Sequence, residues 1–204
     1  MEFSCSSGCH DCCSDPALLI MPTIYEIAEI SSRQGVSVTE FFDTALQARV
    51  LSDRDEVAAH LRMPCVYISD RGCAIHEYKP LVCQRAPEDR VLVGEDWKYC
   101  SLGLMSQSRM QEVMELTSRQ LRHDALTMRV LYSPPIRFDA QAVVNNLGFR
   151  QRCRPEMTER QMIVSSAQAA HEIYGSQVRE RFERLERQLQ THGSVDRVVA
   201  AYSR

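Results

Sequence analysis

Eight of the nine cysteines stand before residue 101, and they form two sets of four. Cys5, Cys9, Cys12 and Cys13 crowd into the nine residues CSSGCHDCC, while Cys65, Cys73, Cys83 and Cys100 are dispersed singly downstream. One thiol is easily a buried hydrophobe or a nucleophile. Eight thiols in turn-rich sequence call for a shared binder, because such sequence offers no helix face or sheet face to bury them all.

Three binders suit cysteine sets: a disulfide knot, zinc, and an iron–sulfur cage. Residues 1–30 carry Glu2, Asp11, Asp15, Glu26 and Glu29 with no Lys or Arg, unlike the basic start of a secretory signal. The apolar run PALLIMP, Pro16 to Pro22, falls far short of the roughly 20 residues that span a bilayer. A cytoplasmic location is therefore expected, and there disulfides are disfavoured while cysteine clusters serve metal or redox chemistry. An odd count of nine also suits a disulfide framework poorly. Soft thiolates select zinc, copper(I) or iron–sulfur over magnesium and calcium.

Zinc and iron–sulfur then divide on spacing. Structural zinc is usually held by two short cysteine pairs closing one tetrahedron. The second set here has gaps of seven, nine and sixteen residues, which an iron–sulfur cage tolerates because each thiolate attaches to a different iron. Adjacent Cys12 and Cys13, if extended, point in opposite directions and serve different centres, pulling residues 1–13 onto the 62–101 loop. His10 and His76 are reserve ligands. Cys153 has no assigned role, and His60, His123, His171 and His192, on helical patterns, have no cysteine partner nearby.

The rest of the chain reads as helix. Thr23 with Glu26, and Ser37 with Glu40, are capping boxes that open helices at PTIYEIAEI and SVTEFFDTALQARVL. Gly35 is placed to end the first. Val66 to Ile68 favour a short extended piece, followed by a turn at Asp70-Arg71-Gly72. From Leu104 the stripe Met110, Val113, Met114, Thr117 and Leu121 predicts a helix whose methionines face the core. Pro134 and Pro135 interrupt it. A second long helix is expected from Thr158 to about His192, with Val178, Phe182, Leu185 and Leu189 inward. Its exposed positions offer the pairs Glu180–Arg184 and Glu183–Arg187. The fold class is mainly α: a small irregular cysteine-rich module with loops, residues 1–105, packed against a helical C-terminal region, residues 106–204.

The segments CSSGCHDCC, PTIYEIAEI, SVTEFF, PCVYISDRGCAIHEYKPLVCQRAP and WKYC together resemble the CxxCxxCC cysteine-cluster family of zinc- or iron-chelating domains. The likeness covers residues 1 to about 105. It aligns Cys5, Cys9, Cys12 and Cys13 with the opening motif, Cys65, Cys73 and Cys83 with the central motif, and Cys100 with the closing cysteine. The chain departs from the pattern in its first gap, in His10, in Lys79 where arginine is usual, and in Ala86 where phenylalanine is usual. The resemblance implies a metal-binding module, similar to the cysteine-rich part of flagellin lysine methylases.

Function follows the metal. The leading expectation is an iron–sulfur protein, with one or two clusters of the 4Fe-4S kind, that transfers electrons or senses redox state beside a protein partner or redox enzyme. Gly8, Gly72 and Gly103 would supply backbone N–H groups to the sulfurs, with Trp97 and Tyr99 as shields. The alternative is a zinc-stabilised interaction module. An enzyme of the flagellin-methylase kind stands third, since no GxGxxG, phosphate loop or Ser-His-Asp set is present. A net charge of −3, with acidic residues interleaved among the arginines, points away from nucleic acid and membranes. Arginine almost replaces lysine, only Lys79 and Lys98 being present, which fits a GC-rich bacterial genome.

Overall fold

A computed structural model describes residues 11–51, 54–85 and 107–202. Cys5, Cys9, Cys100, Gly8, His10, Trp97, Tyr99, Gly103 and Met105 lie outside these residues. The described chain is mainly α-helical with a small sheet.

A single turn, α1 (Asp11–Ser14), carries Cys12 and Cys13. Helix α2 (Ile24–Gln34) opens with the expected box: the Thr23 hydroxyl accepts from the Glu26 N–H, and the Glu26 carboxylate accepts from the Thr23 N–H. It closes at Gly35, whose φ of 67° is the left-handed conformation that a residue with a Cβ adopts only under strain. Helix α3 (Val38–Ala45) is capped by Ser37.

The helix expected to run on through LQARVL stops at Ala45. Leu46–Leu51 is strand β1, paired antiparallel with β2 (Glu56–Leu61). Both faces of this hairpin are covered, so its apolar residues do not alternate and the period-2 signal is absent. His60 thus sits on a strand, not a helix. The sheet order is β1-β2-β5, with β5 (Ile136–Arg137) pairing only the first two residues of β2. Beyond β5, the Ala59 N–H donates to the Tyr132 hydroxyl at 2.9 Å and the Leu61 N–H to the Ile20 carbonyl at 2.8 Å. On the opposite edge the Ala48 N–H donates to His171 Nδ1. The sheet edges are thereby occupied by the protein's own groups.

A two-residue hairpin, β3 (Ile68–Ser69) and β4 (Gly72–Cys73), forms where the Asp70-Arg71-Gly72 turn is expected, with Gly72 at φ 103°. After a 3-10 turn at His76–Tyr78 comes α4 (Leu81–Arg85), which carries Cys83. Helix α5 (Gln107–Val130) packs on α4. Its inward face is Val113, Leu116, Gln120, Thr127 and Val130, so the methionine stripe is turned the other way: Met110, Met114 and Leu121 are exposed. Polar residues on the inner side explain the misreading. The Thr127 hydroxyl accepts from the Ile24 N–H, and Gln120 donates to Asp124.

Short helices α6 (Ala140–Asn145) and α7 (Leu147–Arg152) lead to α8 (Glu159–His192), capped by a reciprocal Thr158–Gln161 box, and then α9 (Val195–Ala201). Helix α8 packs across α3 and β1, with Phe182 against Phe42 at 4.9 Å between ring centres. Val178, Phe182 and Leu185 are buried as expected. The expected pairing of Glu183 with Arg187 gives way to Glu183 with Arg179. Arg184 instead donates to the Val130 and Leu131 carbonyls, satisfying the end of α5. Among the described residues no helix is long and apolar enough to cross a membrane.

Candidate metal centre

Five of the eight cysteines lie among the described residues, and four elements bring them to one end of the fold. Cys12 and Cys13 come from α1, Cys65 from the loop after β2, Cys73 from β4 and Cys83 from α4. The tie between the two halves of the set is a backbone bond, Cys65 N–H to the Cys13 carbonyl at 2.8 Å. The Cys12 and Cys13 sulfurs are 3.9 Å apart on their helical turn, so the two side chains do not diverge as extended neighbours would.

Local anchors hold this arrangement. The Ser14 carbonyl accepts from Arg160 at 2.8 Å, tying α1 to the start of α8. The loop carrying Cys65 follows Arg62, whose N–H donates to the Ala45 carbonyl and whose guanidinium donates to Leu46 and Asp43 carbonyls. Glu26 does more than cap α2. Its second oxygen accepts the Leu81 N–H at 2.5 Å, so one buried carboxylate serves the first turns of both α2 and the Cys83 helix. The capping-box motif pointed to Glu26; nothing in the sequence marked its second bond.

Electrostatically the thiols act on one another. The Cys13 thiol is pushed far up by its hydrogen-bonded neighbour Cys12, then by burial and by the charges that Cys65 and Cys83 would carry. Burial, with Cys65 and Cys73 adding to it, pushes Cys83 up. Cys65 is raised by burial, against a hydrogen bond from the Tyr67 backbone. Burial also pushes the Tyr67 phenol up to about 12. These neighbours cannot share negative charge without a compensating cation, and a thiolate ligand must give up its proton to the metal.

The donor chemistry fits a soft metal: the five thiols lie within electrostatic reach of one another, and His76 is exposed. Among the described residues, however, no three His, Cys, Asp or Glu side chains stand close enough to hold one ion between them. Cys153 ends α7 and is a free thiol.

A helical scaffold that draws half-buried thiols from separate elements to one end defines a cysteine-rich metal-chelating module. Residues 4–102 match the model of the CxxCxxCC family, described as "Putative zinc- or iron-chelating domain". No curated protein and no solved structure matches the chain.

Proposed function

We propose that the eight cysteines hold an iron–sulfur centre and that the protein transfers electrons or senses redox state for a partner protein. The observation that carries this reading is that five thiols of the described residues are neighbours: Cys12 lies beside Cys13, Cys65 is tied to Cys13 through the main chain, and Cys65, Cys73 and Cys12 all act on Cys83. One tetrahedral zinc ion uses four ligands, so a closed zinc site leaves a thiol over before Cys5, Cys9 and Cys100 are counted. A polynuclear centre has room for thiolates arriving singly from separate loops.

In this reading Cys12, Cys13, Cys65, Cys73 and Cys83 supply thiolates, with Cys5, Cys9 and Cys100 completing the set. When bound, the cluster supplies one-electron chemistry. The protein's own part is to hold the sulfurs, limit water and set the local charge. Tyr67 and Ile75 give the site a buried wall, and Lys79 favours negative charge at Cys83. The exposed stripe Met110, Met114 and Leu121 lies on α5, the helix that packs on the Cys83 helix, and is the surface a partner would contact. The metal module is assigned to residues 1–105 and partner recognition to residues 106–204.

Elemental analysis and an optical spectrum of anaerobically purified protein test the reading. Iron with acid-labile sulfide, and visible absorption that bleaches on reduction, is the expected result. Stoichiometric zinc in colourless protein overturns it.

A further inference from the structure

Away from the cysteines, a cavity of about 240 Å³ opens between β1, the segment after α1, and helices α6 and α8. Its walls are mainly apolar, with Leu19, Phe138, Val143, Ile163 and Ala167 among them and Ser166 polar; Arg49 is the one charged side chain lining it among the described residues. Arg49 is only 7% exposed. Its Nη1 donates to the Pro16 carbonyl at 2.9 Å and more weakly to Leu18 at 3.5 Å. Among the described residues Nε and Nη2 have no hydrogen-bond acceptor. Both belong to the side chain that lines the cavity. Behind Arg49 lies His60, itself buried and without a hydrogen bond at either ring nitrogen. Burial, with the Arg49 cation adding to it, keeps that ring uncharged, so His60 brings no second positive charge beside Arg49.

We infer that this cavity binds a small carboxylate with an apolar body, its carboxylate on Arg49 and its body against Phe138, Ile163 and Ala167. A planar guanidinium whose Nε–H and Nη2–H share one unpartnered edge suits a carboxylate in geometry as well as charge. An apolar cavity of about 150 Å³ accepts benzene, so this larger one accommodates an acid of roughly eight carbons. Burial holds the Arg49 pKa below the usual arginine value while Asp15 pulls the other way, and an anion in the cavity adds to the pull of Asp15. None of the described cysteines lines the cavity, so the assignment stands apart from the metal reading.

Titration calorimetry of the full chain with octanoate tests it, with octanamide as the uncharged counterpart. The expected result is saturable one-to-one binding of octanoate, at least tenfold weaker binding of octanamide, and at least tenfold loss of octanoate affinity in Arg49→Met. Because Arg49 also supports the Pro16 and Leu18 carbonyls, that variant risks misfolding. Ala167→Leu leaves Arg49 in place, fills the cavity and is expected to abolish binding in protein whose circular dichroism is unchanged. Three results overturn the assignment: no saturable octanoate binding, octanamide binding equal to octanoate, or unchanged affinity in folded Ala167→Leu.

Discussion

Cys65 donates its backbone N–H to the carbonyl of Cys13 at 2.8 Å, joining the two cysteine sets through the main chain rather than through sulfur. A single such bond at a half-buried position contributes only about 0.5–1.5 kcal/mol. The contact therefore reports on whether the thiols are held together more than it holds them. In metal-loaded protein the Cys65 amide is expected to exchange slowly. Removal of metal by a chelator should speed its exchange roughly tenfold or more while the Ala59 amide, bonded to Tyr132 in the core, keeps its protection. Hydrogen exchange followed by NMR separates the two. Equal protection of Cys65 with and without metal would break the link between this contact and the centre.

Glu26 joins helix α2 to the Cys83 helix. Replacing it with Ala leaves the buried Thr23 and Leu81 N–H groups without acceptors and removes the cap. The expected loss is about 2–4 kcal/mol in urea unfolding, combining a lost cap with orphaned buried donors. Glu26→Gln keeps the shape but turns one acceptor into a donor, and its cost should fall between Ala and wild type. A Glu26→Ala protein as stable as wild type would show that neither bond matters.

Much of this was readable beforehand, and the misses share a cause. The Thr23–Glu26 box, the Gly35 stop and the Thr158 start are local signals, set by a few neighbouring residues, and all three stand in the structure. Strand β1 was hidden because a hairpin covered on both faces shows apolar residues on both, and LQARVL then scans as a continuing helix. The α5 face was misread because Gln120 and Thr127 are buried polar residues whose partners, Asp124 and the Ile24 N–H, are fixed by tertiary structure. The cysteine types and spacing announced a soft-metal module. Which elements carry the thiols together, and the second bond of Glu26, depend on contacts distant in sequence.

His60 gives the fold a pH dependence of definite sign. Burial, with Arg49 adding to it, holds its pKa at about 3, below the ordinary 6.5. The unfolded chain therefore takes up a proton near pH 6.5 that the folded chain refuses, and stability is lost as pH falls from 6.5 toward 3. Glu26, raised by burial, works in the opposite sense above its ordinary 4.5, so the total slope mixes the two. Comparison with His60→Leu isolates the histidine. The variant should be more stable by about 1 kcal/mol at pH 7, since two buried unpartnered nitrogens are removed, and its advantage should widen at pH 5. Parallel stability curves for the two proteins between pH 7 and 5 would show that His60 is solvated or paired.

The cysteines themselves separate ligands from bystanders. Cys83→Ser and Cys65→Ser each remove a sulfur that other cysteines act on, and substitution by a harder oxygen donor weakens soft-metal binding. Both variants are expected to lose most of their bound metal and to unfold at lower temperature than the loaded wild type, because metal binding contributes directly to folding. Cys153→Ser is the matched control: the residue ends α7, outside the set, and its loss should leave metal content and melting unchanged. Metal-to-protein ratios across the three variants decide the matter. Full metal in Cys83→Ser would remove that residue from the centre, whereas depletion in Cys153→Ser would mean the ninth cysteine takes part.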